Sequence, residues 1–344
     1  MNPFVHRSPI GLDVGSRSIK AAQVTEGEVP RISALSMVPR VRPGQAVDHD
    51  EVANLRQVLR RQGFAGSDVV LAVPEESLLR GVLELPAALT GVSVAQVARM
   101  ELARQHRVDP HSFEMVYWGL SQAKTQTVAV ACPHAAAHAL LDLFDGIGFN
   151  VRALDVRTAA AARACRDLCV PAPGITAILD LGWSSTELLL VCGPTILYER
   201  LFEDRLSRLV GTLVERFHIT ETAACQILDT VGISADPLPI EVDPASLEAI
   251  RKVLRAHFRS LLEELKVPFA YVSRQHLNQP VKRMLLVGGG AGTPGLAAYM
   301  ASVFGVDVQR AAPHDLIKVA PSLETKADHP ALTVALGLAR FAGV

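Results

Sequence analysis

Residues 10–24 read IGLDVGSRSIKAAQV, and residues 177–191 read AILDLGWSSTELLLV. The two stretches share one frame: apolar residues, Asp, an apolar residue, Gly, two variable residues, Ser, then an apolar run. Asp13 aligns with Asp180, Gly15 with Gly182, and Ser18 with Ser185. The copies lie about half a chain apart, the spacing of a duplicated unit.

Each copy predicts a β-hairpin, with residues 10–14 and 19–24 as the strands of the first and Gly15 to Ser18 as its turn. Glycine admits positive φ, so the N–H groups of such a turn can converge on one point. A hydroxyl at Ser16 or Ser18 adds a donor. That arrangement suits an anionic phosphate, and the Asp before the turn can hold the water shell of Mg²⁺. One D-x-G turn is an ordinary hairpin. Two copies, one in each half, would grip a polyphosphate from both sides.

A third stretch, residues 284–295, reads MLLVGGGAGTPG. It predicts a strand, a glycine loop and then a helix over residues 296–304. Bare glycines let a flat ligand approach the backbone closely. The spacing is not G-x-G-x-x-G, and no G-K-[ST] follows.

Composition sets the frame around these motifs. The chain has 344 residues, with 34 Lys and Arg against 35 Asp and Glu, a formal net charge of −1. Such a balance gives no global field to gather nucleic acid or acidic lipid. Hydrophobic residues make up 49% and charged residues 20%, a globular mix, and the length predicts two domains. Aromatic residues are only 5%, so the cores must be built from Ala, Val and Leu. The uncharged stretch 284–306 is long enough to span a bilayer, but its clustered glycines and Pro294 read as strand, loop and helix. Residues 1–9 lack the apolar core of a signal peptide. Five cysteines with no C-x-x-C suggest a reduced cytosolic chain, with Cys165 and Cys169 as packing. His134 and His138 are four apart, a geometry that can bind metal, yet no third ligand accompanies them. Leu247, Ile250, Leu254, Phe258, Leu261 and Leu265 form one helical stripe, which Pro268 should kink or break.

Hairpin, second hairpin and late glycine loop, in this order, resemble the phosphate-one, phosphate-two and adenosine motifs of actin-like ATPases. The chain resembles most the PilM family of type IV pilus assembly, and more distantly the cell-division protein FtsA. Nearly the whole chain carries the likeness: residues 4–24, VVLAVPEESLLRGVLELP at 69–86, residues 94–106, FEMVYWG at 113–119, residues 127–154, the glycine loop and the terminal ALTVALGLA.

The resemblance implies an α/β, two-lobed actin-like ATPase fold with a small α+β subdomain inserted in the first lobe. The first lobe would cover residues 1–170, with the insert at about 82–156. The second would cover 171–330, with a helical subdomain at about 203–283 and a boundary near Pro171 to Gly174. Residues 331–344 would pack back on the first lobe as a helix.

It also implies an ATP-binding scaffold, cytoplasmic and peripheral at the inner membrane, without membrane insertion or nucleic acid. Its partner would be the N-terminal tail of a PilN-like membrane protein, lying in a groove between the first lobe and the insert, with other pilus platform proteins nearby. Arg80 to Pro86 marks the hinge of that insert. Asp13 and Asp180 would orient Mg²⁺ through water. Gly15, Ser16, Ser18 and Lys20 would hold phosphates from one lobe, and Gly182, Ser184 and Ser185 from the other. Gly289, Gly290 and Gly292 would face adenosine.

Three features depart from the family pattern. No Gly-Gly pair stands in residues 199–209, no lysine stands in 218–228, and Trp183 occupies a position where a small residue is usual. Each points to weakened nucleotide contact and at most a weak ATPase. A nucleotide-free scaffold and a small-molecule kinase of the same superfamily are the alternative readings.

Overall fold

The computed structural model describes residues 6–27, 29–85, 93–119, 126–170, 174–234, 243–276 and 279–342. The chain divides into two units, Met1–Ala160 with Ala335–Val344, and Ala161–Val334.

The first unit opens with β1 (Ile10–Val14), β2 (Ser18–Thr25) and β3 (Arg31–Pro39), an antiparallel meander. Helix α1 (His49–Arg61) follows, capped by Asp48, whose Oδ1 accepts from the Glu51 amide at 2.9 Å. Its buried stripe of Val52, Leu55 and Leu59 fixes the face it turns inward. Strand β4 (Asp68–Ala72) then pairs parallel with β1.

The chain next leaves this sheet for β5 (Leu79–Glu84), α2 (Val94–His106), β6 (Phe113–Gly119) and β7 (Gln126–Pro133). These strands form a separate three-stranded sheet in the order β5-β7-β6. One face of it packs on α2 around Leu83, Ala98, Leu102, Phe113, Ala129 and Ala131. Pro86, where the sequence reading ends its hinge, lies outside the described residues, as do residues 171–173 of the expected lobe boundary.

Helix α3 (His134–Asp145) and β8 (Asn150–Asp155), which the sequence reading places inside the insert, join the main sheet. Strand β8 pairs parallel with β4, and Phe144 of α3 packs with Leu12 and Leu71. Within this unit the sheet order is β3-β2-β1-β4-β8. Helix α4 (Arg157–Ala164) begins directly after β8.

The second unit repeats that wiring. After α5 (Arg166–Cys169) come β9 (Ile175–Leu181), β10 (Thr186–Cys192) and β11 (Thr195–Phe202), again an antiparallel meander. Helices α6 (Leu206–Phe217), α7 (Glu221–Thr230) and α8 (Pro244–Gln275) follow. Strands β12 (Val281–Val287) and β13 (Asp307–Arg310), with α9 (Leu296–Phe304) between them, complete a sheet ordered β11-β10-β9-β12-β13, whose last pairings are parallel. Thus β9 to β13 stand in the second unit as β1, β2, β3, β4 and β8 stand in the first. The short sequence repeat is the opening of a topological repeat.

Short elements α10 (Pro313–Leu316), β14 (Lys318–Val319) and α11 (Glu324–Ala327) lead to α12 (Thr333–Ala339). The end of α12 lies directly on β1: a Cβ on Gly11 would stand 2.1 Å from the Ala335 carbonyl oxygen. The contact needs a bare backbone, which is why an apolar strand carries a glycine there.

Two expectations about packing can be placed. Helix α8 is 32 residues long and is not broken at Pro268. Pro268 is itself buried on the stripe with Leu261, Leu265 and Val272, so tertiary packing carries the helix past the missing donor. Cys165 and Cys169 are buried and form no disulfide, and burial pushes Cys169 up to about 11, which makes it an inert packing group. Among the described residues no helix is long and apolar enough to cross a membrane; the uncharged stretch forms β12, the glycine loop and α9.

Candidate functional site

The two D-x-G-x-x-S turns fold alike. Each is a four-residue hairpin loop, closed by Val14 opposite Ile19 in one and Leu181 opposite Thr186 in the other. In each the glycine amide donates across the loop: Gly15 to the Ser18 carbonyl at 3.1 Å, Gly182 to the Ser185 carbonyl at 2.9 Å. A Cβ on Gly182 would lie 2.6 Å from that Ser185 oxygen, so the turn closes only on glycine. The glycine N–H is therefore committed to the loop, and the amides left to meet a ligand belong to the residues that follow it.

Different parts of the chain brace the two turns. Under the first lies the buried guanidinium of Arg40. It donates to the Gly15 carbonyl at 3.1 Å, the Gln45 carbonyl at 2.8 Å and Glu51 Oε1 at 2.7 Å. Backbone bonds from Arg40 to Arg17 at 2.8 Å and from Gly44 to Ser16 at 2.9 Å tie down the loop's far side. The second turn is held by the start of α6, where the Leu206 amide donates to the Gly182 carbonyl at 3.3 Å and the Ser207 amide to the Trp183 carbonyl at 3.1 Å. The Trp183 ring packs against the hydrophobic core of its unit.

Register then sets different cross-strand partners at equivalent places. Asp13 faces Lys20 across the first hairpin, whereas Asp180 faces Glu187 across the second. Asp13 is 1% exposed, and both its oxygens meet cations of the chain. Arg157 Nη1 donates to Oδ1, and Lys20 Nζ stands 3.3 Å from Oδ2. Burial alone would push this carboxyl up; Arg157 and then Lys20 outweigh it and hold the pKa below the usual carboxylate value. Lys20 reaches back over the turn into space that Gly15 leaves, since a Cβ there would lie 2.4 Å from Nζ.

In the second unit Asp180 and Glu187 are both buried. Ser185 Oγ donates to Glu187 Oε1 at 3.1 Å. At the end of β12, Gly288 lies against Asp180. Beyond it, Gly289 and Gly292 have nothing within 4 Å of where a Cβ would be, so a flat ligand can approach the backbone there. Gly290 differs: its bare side faces inward, 2.9 Å from Leu181 Cβ and Leu206 Cδ1, so that glycine serves packing.

The structure thus gathers Asp13, Gly15 and Lys20 into one cluster, and Asp180, Gly182, Ser185 and Gly288 into another. Ser184 is exposed, and Ser16 and Ser18 are partly so. Within the second unit, the open backbone at Gly289 and Gly292 can admit a flat ligand; within the first, Lys20 stands beside the turn. At Asp13, Oδ2 lies 3.3 Å from Lys20 Nζ but accepts no hydrogen bond among the described residues, which leaves an acceptor for a magnesium-bound water. Sequence reasoning missed Arg157, Arg40 and Glu187. Lys20 and Glu187 were readable from hairpin register, which sets cross-strand partners on one face. Arg157 and Arg40 are brought in by tertiary structure and carry no local signal. His134 and His138 stack with ring centroids 6.4 Å apart, and no group of three metal-ligating side chains occurs among the described residues.

The family model for the type IV pilus assembly protein PilM matches residues 11–341. The chain belongs to the PilM family. Among solved structures, a PilM–PilN type IV pilus biogenesis complex is 21% identical to this PilM-family chain, with a TM-score of 0.76 over 96% of this chain and 97% of that one. The ethanolamine utilization protein EutJ from Carboxydothermus hydrogenoformans is 17% identical, with a TM-score of 0.55 over 99% and 92%. MreB5 of Spiroplasma citri, solved bound to ADP, is 14% identical, with a TM-score of 0.53 over 95% and 94%. No curated protein sequence matches significantly. The fold is that of the actin-like ATPases, and this member of the PilM family is a type IV pilus assembly protein.

Proposed function

We propose that this chain is a cytoplasmic scaffold at the inner-membrane face that holds the N-terminal tail of a PilN-like membrane protein, with ATP as a conformational ligand. The observation that carries this reading is the match over 96% of the chain to a PilM–PilN complex, since that coverage takes in the inserted sheet as well as the two actin-like units.

Exposed apolar side chains on the insert support this reading. The face of the insert away from α2 carries two cross-strand rows, Val82–Val128–Trp118 and Arg80–Val130–Val116. Val82 and Val116 are 55% and 58% exposed, while Val128 and Val130 on the central strand are buried. Arg80 is held in place by Glu75, with Nε 2.5 Å from Oε1. An extended peptide laid there would gain apolar contact at Val82 and Val116.

ATP, when bound, supplies a polyphosphate and a flat base. Ser16, Ser18 and Lys20 would hold phosphate in the first unit, Ser184 and Ser185 in the second, and Gly289 and Gly292 would admit the adenosine. Its effect on the scaffold would come from different affinities for different arrangements of the chain.

The test is fluorescence anisotropy with a labelled PilN-like tail peptide. Binding by the wild type and its loss in Val116→Asp support the reading. No binding, with or without ATP and Mg²⁺, rejects it.

A further inference from the structure

We propose that the outward face of α8 around Ala270 is a docking surface for a second copy of this chain, the two helices crossing antiparallel about a two-fold axis. The inference goes beyond the reading above and does not depend on it.

The sequence of α8 sets two faces. Leu261, Leu265, Pro268 and Val272 recur at helical spacing and are buried. Glu263, Lys266, Val267, Ala270, Tyr271 and Arg274 recur at the same spacing on the other side, and all are exposed. Val267 and Tyr271, one turn apart, are 65% and 42% exposed. No other helix among the described residues carries two exposed large apolar side chains one turn apart. The face is also held from behind. Phe269 packs on Phe304 of α9 with ring centroids 5.2 Å apart, and Tyr271 meets Tyr198 of β11 at 6.0 Å. A surface already in place loses little freedom on docking.

Charge selects the occupant. In a two-fold contact residue i meets residue j, and j meets i. With the axis between positions 268 and 269 of α8, Val267 of one copy meets Ala270 of the other, and the small alanine lets the helices approach closely. Lys266 then meets Tyr271, an ammonium beside an aromatic ring. Outermost, Glu263 meets Arg274. Arg274 forms no ion pair of its own among the described residues. Glu263 is bonded to Lys266 at 2.7 Å, but both side chains are more than half exposed, so the carboxylate can take a second cation. A parallel crossing would set Glu263 against Glu263 and Arg274 against Arg274, and like charges exclude it. The stripe is therefore complementary to itself in one direction only. One helix pair is a small interface, so the dimer should be weak and fill only at high protein concentration.

Sedimentation equilibrium of the full chain, from micromolar to submillimolar protein, is the test. The wild type should pass reversibly from monomer to dimer. Val267→Asp should abolish the dimer while the monomer keeps its circular dichroism and urea midpoint, because the position is largely exposed. Glu263→Arg and Arg274→Glu should each weaken dimerisation by about tenfold or more, since the two-fold places every change in the contact twice. Mixing those two single variants should restore association, because one copy then carries positive charge at both ends of the stripe and the other negative. The double variant Glu263→Arg, Arg274→Glu should recover it as well. A wild type that stays monomeric at every concentration overturns the proposal. So does a dimer that survives Val267→Asp, which would put the contact on another face. Single variants that fail to associate on mixing also overturn it, since Glu263 and Arg274 of opposite copies would then not meet.

Discussion

Gly288 leaves Asp180 a space that no side chain could share: a Cβ on Gly288 would stand 2.1 Å from Asp180 Oδ1. Gly288 also has φ 82° and ψ 174°, a backbone region open essentially to glycine alone. Substitution therefore meets strain and overpacking together. Gly288→Ala should destabilise the chain by about 2–4 kcal/mol, combining a backbone term of about 1–3 with a packing term of similar size. Urea denaturation followed by circular dichroism measures it. A variant within about 0.5 kcal/mol of wild type would show that the Asp180 carboxylate moves aside freely.

Gly289 should behave in the opposite way, because nothing lies within 4 Å of its Cβ position. Gly289→Ala should leave stability within about 0.5 kcal/mol of wild type. Gly289→Leu should keep the fold and lose the thermal shift that ATP gives by binding the folded state. An ATP shift that survives in Gly289→Leu would remove this loop from the nucleotide site.

These neighbouring glycines also show what the sequence could and could not convey. Residues 10–24 and 177–191 announced the duplicated hairpins because their strands are local and alternate with turn chemistry. The insert was expected from the family resemblance rather than from local pattern. The end of the insert was not legible: β8 joins β4 by parallel pairing, which local pattern does not encode. Among the glycines of the loop, spacing cannot tell Gly290, which faces Leu181 and Leu206, from Gly289, which faces open space. The guanidinium on Asp13 comes from Arg157, 144 residues away, so the charge state of the first turn is a tertiary property.

Gly15→Ala tests the seat of Lys20. The new methyl would meet Lys20 Nζ at 2.4 Å and the Ser18 carbonyl at 3.1 Å. A lysine end can swing away, so the fold should lose only about 1 kcal/mol or less. The ammonium, however, leaves Asp13. The ATP-induced thermal shift should fall in this variant while its urea midpoint stays near wild type. A large loss of stability would mean that the turn backbone, not the lysine, is what the glycine protects.

Arg40 and Glu51 form a buried pair beneath the same turn, with side chains 3% and 8% exposed and Nε 2.7 Å from Oε1. Glu51 Oε1 also accepts from the Val41 amide at 2.9 Å. Glu51→Gln keeps the shape but leaves a guanidinium buried without its counter-charge, a change that costs about 3–5 kcal/mol. Arg40→Met with Glu51→Leu should cost less than the sum of the single changes, because the double variant strands neither charge. Additive losses in a double-mutant cycle by urea denaturation would show that the two side chains act separately.

His257 on α8 gives the chain a pH dependence with a definite sign. Its pKa is lowered chiefly by burial; Asp204 pulls it up and Arg208 pushes it down, but burial prevails. An unfolded histidine titrates near about 6.5, so between that value and the lower folded pKa the unfolded chain binds more protons than the folded one. Stability from this group is therefore present above about pH 6.5 and is lost as the pH falls towards the folded pKa. His276, also lowered by burial, adds a loss of the same sign. Urea midpoints at about pH 7.5 and 5.5 should fall further apart for the wild type than for His257→Gln, in which the 257 side chain no longer titrates. Equal separations in the two proteins would mean that His257 keeps an ordinary pKa in the folded chain, and that its burial exacts no penalty on its charge.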